Sequence, residues 1–263
     1  MNPGSEQQAV ALEARLKKCK NVITLGVRPN FSDYSPEEIT LLRNRDKIYY
    51  PTSFYADLFD AMGKKTFPSY HTYKFAQDKI KQTALFQLLG IPHPKTRVFY
   101  GRRSKKSIMN YFKFPFIGKI PRGSAMGKGV FFIRNRSDLD AYCAMETPAY
   151  IQEYLSGDRD IRVVVIGGKV VHAYWRIAAP GEFRCNVSLG GTISLDPIPE
   201  PVTDLALRTA NACRWDDVGI DIFPYQNRFF VLEANMKYGK EGFREAGIDY
   251  SDLMEGLIAD GEI

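Results

Sequence analysis

The chain of 263 residues has few of the side chains that build redox or zinc chemistry: four cysteines, Cys19, Cys143, Cys185 and Cys213, and three histidines. With no C-x-x-C pair among them, neither a disulfide framework nor a zinc site is supported, and the cysteines read as reduced bystanders. No apolar run approaches the roughly 18 residues of a membrane span, and the polar start lacks the apolar stretch of a signal peptide. A cytoplasmic protein without a membrane partner is expected. Two nucleotide-binding signatures are missing as well. No G-x-G-x-x-G occurs. The loop Arg122-Gly123-Ser124-Ala125-Met126-Gly127-Lys128-Gly129 is not a Walker A loop either, because its glycines stand one residue too close and neither Ser nor Thr follows Lys128. Internal repeats, low-complexity tracts and a His-based nucleophile system are absent too.

What is there is enough for cores. Hydrophobic residues make up 44% of the chain, and a net charge of +6 leaves room for an anionic ligand without demanding one. The densest basic run, Arg102-Arg103-Ser104-Lys105-Lys106, reads as a solvated loop more than a nucleic-acid contact.

The pattern predicts a β-α start. Residues 22–27 form a strand, Ser35-Pro36-Glu37-Glu38 opens a helix, residues 48–50 form a strand, and residues 54–62 form a helix closed by Gly63. This unit ends near residue 77. Asp78 is placed as the N-cap of a helix with Ile80, Ala84, Leu85, Leu88 and Leu89 on one stripe, stopped by Gly90. Strands are predicted at 114–120 and 130–133, with a helix starting at Ser137, Asp138 and Asp140 after them. Further strands follow at 150–155, 161–166 and 169–175, the last two joined by Gly167-Gly168 as a tight hairpin. Helices at 202–213 and 250–258 complete the reading.

Gly219 to Gly239 carries the chemistry. It places Asp221, Glu233 and Asn235 on two adjacent apolar strands, and the period of two aims Glu233 and Asn235 at one face. Carboxylate and amide oxygens suit a hard divalent cation, and magnesium uses one or two protein carboxylates while phosphates and waters complete its shell. An amphipathic hairpin with solvated polar residues is the plain alternative. Lys119 lies in the apolar strand 114–120, where an unpaired ammonium is costly, so it needs an anion: a structural carboxylate or a nucleotide phosphate. The glycine loop offers backbone amides that can cover phosphates, or is simply a hairpin turn. Arg162, Arg176 and Arg184, with Asn186 nearby, cluster in or beside the long hairpin, and guanidinium forks suit carboxylates and phosphates.

From Asp78 onward these motifs together resemble the ATP-grasp superfamily, and within it the RimK-like carboxylate-amine ligases. They include Asp78-Lys79, Gly90-Ile91-Pro92-His93-Pro94-Lys95-Thr96, Lys119 with the glycine loop, and Gln152-Glu153-Tyr154. Asp160-Ile161-Arg162, residues 181–186, Gly190-Gly191, Gly219-Ile220-Asp221 and Leu232-Glu233-Ala234-Asn235 extend the likeness. It departs after the last motif, where Met236-Lys237-Tyr238 stand in place of small residues and a proline, and the amino-terminal unit matches only in outline. The resemblance implies an α/β and α+β protein with the ATP-grasp fold: a small α/β amino-terminal domain over 1–77 and two α+β subdomains, 78–154 and 155–263, sandwiching ATP. It implies Lys79 and Lys119 on phosphates, a flap including Gly123, Ser124, Gly127 and Gly129, and Glu153 and Tyr154 at the adenine. Asp160 would approach the ribose or the metal-phosphate region. Asp221, Glu233 and Asn235 would bind one or two magnesium ions, with manganese as a substitute. Arg162, Arg176, Arg184 and Asn186 would contact the transferring phosphoryl group or the acceptor carboxylate.

The implied reaction joins a carboxylate to an amine through an acyl phosphate, with an amino acid as one substrate and a peptide or protein tail as the other; a homo-oligomer is compatible with it. A small-molecule kinase, or a nucleotide-regulated binding module, would share part of this residue set. Two structural expectations follow. For Asp221 and Glu233 to share a metal, both must project from the same face of their antiparallel pair, so opposed residues should have numbers summing to 454 or differing from that by an even shift, which calls for an odd connection such as Gln226-Asn227-Arg228; a two-residue turn would send Glu233 to the other face. Removing either charge should spare the fold, because it relieves repulsion between two carboxylates.

Overall fold

The computed structural model describes residues 8–123, 129–145 and 148–263. The chain runs through β1 (Ala9–Ala11), β2 (Val22–Thr24), α1 (Pro36–Asn44), β3 (Lys47–Tyr49), α2 (Thr52–Ala61), β4 (Lys65–Phe67), α3 (Tyr70–Tyr73) and α4 (Lys79–Leu89). Then come β5 (Thr96–Phe99), α5 (Gly101–Lys105), β6 (Phe116–Lys119), β7 (Val130–Ile133), α6 (Arg136–Ala144) and β8 (Ala149–Glu153). The remainder holds β9 (Arg159–Ile166), β10 (Lys169–Ile177), β11 (Thr192–Ser194), α7 (Glu200–Cys213), β12 (Asp217–Tyr225), β13 (Arg228–Asn235), α8 (Glu241–Glu245) and α9 (Tyr250–Ala259).

Three sheets result. The first is parallel with order β2-β1-β3-β4, the second antiparallel with order β5-β8-β6-β7, and the third antiparallel with order β11-β10-β9-β12-β13. The third sheet is the centre of the molecule, and β9 shows why. Its sequence, Arg-Asp-Ile-Arg-Val-Val-Val-Ile, is buried on both faces, as near-continuous β-branched runs are when sheets are covered on two sides. Ile161, Val163 and Val165 enter one core with α4, α7 and Trp215, whereas Val164 and Ile166 enter another with the first sheet, α8 and α9. The period of two thus assigns one strand to two cores.

The helix signals act as read. Ser35 forms a capping box with Glu38, ahead of Pro36. Asp78 caps α4 by accepting from the Lys81 amide, and Gly90 ends it in the left-handed region at φ 66°. The Gly167-Gly168 hairpin is also present, both residues at positive φ. Three expectations need correction. The basic run is the short helix α5, not a loop, and its Lys105 Nζ donates to the Cys143 and Met145 carbonyls. α6 begins one residue earlier than Ser137, because Asn135 caps it by accepting from the Asp138 amide. Strands β1, β4, β5 and β11 are three or four residues each, too short for an alternation to register.

Candidate active site

One face of the third sheet carries an ordered row of charge. In the β9–β10 register Asp160 faces Arg176, in the β9–β12 register Arg162 faces Asp221, and in the β12–β13 register Asp221 faces Glu233. Arg176 grips Asp160 with both ends of its fork, at 2.7 and 2.7 Å, and reaches Asp221 Oδ2 at 2.9 Å. Arg162 holds Asp221 in the same two-pronged way. Asn235 Nδ2 donates to Asp221 Oδ2 at 3.1 Å and to Glu233 Oε1 at 3.3 Å, so the three oxygen-bearing residues converge. Gly219 makes space for this packing: a Cβ there would lie 2.9 Å from Arg162 Cδ.

The register comes about in an unexpected way. The β12–β13 connection is the two-residue turn Gln226-Asn227, both at positive φ as a type I′ turn requires. That turn alone would place Glu233 on the far face. A bulge between the Asp221 and Ile222 pairings leaves Leu232 as an extra residue and restores Asp221 opposite Glu233. The odd connection was the wrong device, although the facing pair it was meant to secure is present.

Helix α4 completes the row from above. Gln82 accepts from the Ala234 amide at 3.0 Å and donates to the Ala234 carbonyl at 2.8 Å, clamping the backbone between Glu233 and Asn235. This sets Lys79 Nζ 3.5 Å from Glu233 Oε2. Burial pushes the Glu233 carboxyl up, yet Lys79, Lys119 and Arg162 outweigh it and hold the group down at about 2. Lys119 is 7% exposed. Burial lowers its ammonium pKa, partly countered by Glu233. Among the described residues no carboxylate lies within ion-pair distance of it. The structural-carboxylate reading of Lys119 therefore lacks a partner.

These groups line a cleft between the second and third sheets, with about 810 Å³ of empty space including its open mouth, within the usual size of small-molecule sites. Lys79, Lys119, Glu153, Tyr154, Asp160, Arg176, Arg184, Asn186, Asp221 and Glu233 all border it. Arg162 does not, being committed to Asp221, and Arg184 is paired with Glu182 at 2.6 Å. Asn235 borders the adjoining cavity on the far side of Glu233. The glycine loop is anchored at both ends. The Gly123 amide donates to the Gln77 carbonyl, Arg122 pairs with Asp78 at 3.0 Å, and the Ile120 amide donates to the Gly129 carbonyl at 2.7 Å. Ser124 and Gly127 lie outside the described residues.

The cleft has a second, apolar half that the sequence did not disclose. Ile117, Val130, Leu155, Phe183, Phe223 and Leu232 form it. Phe132 of β7 stacks on Phe183, in the segment after β10, with centroids 5.4 Å apart, and meets Tyr154 tilted by 58° at 4.7 Å. Such walls suit a flat base, and the cationic row suits phosphates. Cys185 also borders the cleft, its thiol pushed up to about 12 by burial and then by Asp160, which keeps it protonated and unreactive. Glu153 accepts from the Lys95 amide, and so is fixed by the strand pair it belongs to.

One expectation fails outright. Asp221 and Glu233 are not a repelling pair awaiting relief, because Arg162 and Arg176 both neutralise Asp221 and Lys79 neutralises Glu233. Taking the charge from Asp221 strands two buried guanidinium groups, which is the costly way to break a buried pair.

The profile of the RimK-like ATP-grasp domain matches residues 76–258. Beta-citrylglutamate synthase B of Danio rerio is 33% identical over 181 residues, covering 65% of this chain and 44% of that protein. A ribosomal protein bS6–L-glutamate ligase of Escherichia fergusonii is 30% identical over 187 residues, covering 68% and 62% respectively. The chain thus spans roughly half the length of these relatives. Among solved structures, the D-alanine–D-alanine ligase of Bacillus anthracis complexed with ATP aligns with a TM-score of 0.72 at 15% identity over 95% of each chain. A RimK domain ATP-grasp protein of Sphaerobacter thermophilus aligns at 0.70 and 15%, over 96% of this chain and 99% of that one. At such identities the likeness is one of fold.

Proposed function

Since this chain belongs to the RimK-like ATP-grasp family, whose profile covers residues 76–258, we propose that it is an ATP-dependent ligase that joins a carboxylate to an amine through an acyl phosphate. The observation that carries the proposal is Lys119: a buried ammonium facing the cleft beside Lys79, with no carboxylate in ion-pair reach among the described residues. An anion from outside satisfies it, and a nucleotide phosphate has the charge and the oxygens to do so.

A carboxylate is a poor electrophile, and phosphorylation supplies it with a leaving group. The carboxylate oxygen attacks the γ-phosphorus of ATP, the bond to the ADP oxygen breaks, and an amine then displaces phosphate to leave the amide. Positioning and charge stabilisation are the protein's contribution in such transfers. Lys79 and Lys119 hold phosphate oxygens, the apolar walls with Tyr154 hold the base, and Glu153 sits at its edge. Asp221, Glu233 and Asn235 fit magnesium by their donor chemistry and convergence, and the ion would neutralise phosphate charge when bound. Arg162 and Arg176 hold the carboxylates of Asp221 and Asp160 in place by two-pronged pairing. Arg184 and Asn186, which border the cleft, would meet the acyl phosphate or the incoming amine in this reading. Names of relatives point to glutamate among the substrates, and a peptide or protein tail as the second partner is part of this reading. Among the described residues no helix is long and apolar enough to cross a membrane.

The test is ADP release from the purified chain with magnesium-ATP and paired panels of carboxylates and amines. Hydroxylamine added in place of the amine distinguishes ligase from kinase, since an activated acyl group yields a hydroxamate and a phosphorylated alcohol does not. ADP release that depends on a carboxylate and yields hydroxamate is the expected result; carboxylate-independent ADP release without hydroxamate would reject the ligase.

A further inference from the structure

β13 is the outermost strand of the third sheet: β12 lies on one side of it and, among the described residues, no strand lies on the other. Its outer edge is nevertheless met at two points. The Val231 amide donates to the Pro92 carbonyl at 2.8 Å. Three residues on, the Ala234 amide donates to Gln82 Oε1 at 3.0 Å, and the Ala234 carbonyl accepts from Gln82 Nε2 at 2.8 Å. The side-chain amide of Gln82 thus stands where the peptide group of a further strand would stand.

In a regular strand, successive residues turn their N–H and C=O groups to opposite edges, so Val231 and Ala234, three apart, would not both face outward. One extra residue between them makes it possible. Leu232 is that residue, left out of the pairing with β12 at the bulge. The two outer contacts and the bulge therefore require one another, and the bulge decides on which face Glu233 stands, since a slip of one residue exchanges the faces. Gln82 is committed to this contact. It is 2% exposed, and its second Nε2 hydrogen goes to the Phe75 carbonyl at 3.0 Å, so both donors and the oxygen are met. Three residues earlier on the same helix, Lys79 Nζ lies 3.5 Å from Glu233 Oε2, so α4 brings the clamp and the cation to one strand.

We propose that Gln82 is a positioning residue: together with the Pro92 carbonyl it locks the bulged register of β13, and so keeps Glu233 and Asn235 turned to the face that carries Asp221. The assignment rests on the ligase reading and adds to it a residue outside the motifs that carry the family likeness. Gln82 acts through the backbone between Glu233 and Asn235, not by contact with the reacting groups.

Calorimetric titration of the full chain with a non-hydrolysable ATP analogue, once with magnesium and once in EDTA, tests it; the ratio of the two affinities measures what the metal contributes. Magnesium should tighten binding to the wild-type protein. Gln82→Met fills the same space and leaves the Ala234 groups unmet, and should shrink that ratio about 10-fold or more while the affinity in EDTA stays within about 2-fold, the scale on which groups that orient metal ligands act. Gln82→Ala should shrink it too. Because Gln82 borders the cavity beside Asn235, the truncation admits water to the Ala234 groups, which guards against Gln82→Met failing to fold. A ratio unchanged in Gln82→Met, or in Gln82→Ala where Gln82→Met does not fold, overturns the assignment. So does an equal loss of affinity with and without magnesium, or failure of both variants to fold, either of which makes Gln82 a packing residue. A wild-type protein that binds the analogue without help from magnesium would strike the metal assignment and the role of Gln82 with it, whereas one that does not bind the analogue at all would strike the ligase reading itself.

Discussion

At the scale of single residues, the cleft contrasts one cation without a carboxylate partner with others that are fully matched. Among the described residues Lys119 has no carboxylate in reach, so Lys119→Met, which fills the same aliphatic space, should leave the circular dichroism spectrum and melting temperature near wild type. Turnover should fall by ~10²-fold or more, the scale of losing one transition-state charge stabiliser. Loss of the fold with normal nucleotide affinity in the native fraction would make it a structural residue. Asp221 behaves oppositely. Because Arg162 and Arg176 both close on it, Asp221→Asn should cost ~3–5 kcal/mol of stability as well as activity, measured by urea unfolding; a variant as stable as wild type would show that the pairing is not what holds those arginines. The residue types themselves were legible: lysine in an apolar strand, and acid and amide on alternate positions, each imply a partner. Which partner was not legible. Whether an arginine meets a phosphate or a neighbouring aspartate is decided by strand register, and register is set between segments distant in the chain.

At the scale of elements, helix boundaries that rest on local chemistry were readable, as at Ser35, Asp78 and Gly90, because caps satisfy backbone groups within a few residues. The β12–β13 hairpin was readable in its facing pair but not in its construction. Gln226-Asn227 lacks the glycine that most often marks a type I′ turn, Asn227 alone being a weak signal, and nothing in Val231-Leu232-Glu233 announces a bulge. Deleting Leu232 should remove the bulge, turn Glu233 away from Asp221 and lower turnover by ~10²-fold or more while the protein still folds. Activity retained by the deletion would mean that Glu233 does not need to face Asp221. The clamp by Gln82 was equally hidden, since a glutamine inside an amphipathic helix carries no mark of the strand it will reach.

At the scale of the whole molecule, the amino-terminal sheet and the central sheet are tied by a buried polar cluster, in which Tyr50, just after β3, and Tyr238, between β13 and α8, both donate to Asp217 of β12. Burial raises the Asp217 carboxyl above its ordinary value of 3.8, with Arg15 acting against it. A raised folded-state value means that the stability it lends is fully present below the unfolded pKa and declines as pH rises through the folded one. Asp217→Asn should therefore gain stability relative to wild type on going from pH 4 to pH 7 in urea unfolding, and an identical difference at both values would refute the assignment. Three sheets with helices between them were foreseeable from the order of motifs; the packing of α4 against the third sheet, which delivers both Lys79 and Gln82 to the site, depends on contacts no local pattern records. The claim that unites these scales is that a carboxylate is phosphorylated in the cleft. It is tested most directly with a substrate carboxylate labelled with oxygen-18, turned over with magnesium-ATP and amine, followed by mass analysis of the phosphate released. An acyl phosphate requires one labelled oxygen to appear in phosphate for each amide formed; phosphate carrying no label, alongside amide formation, would contradict it.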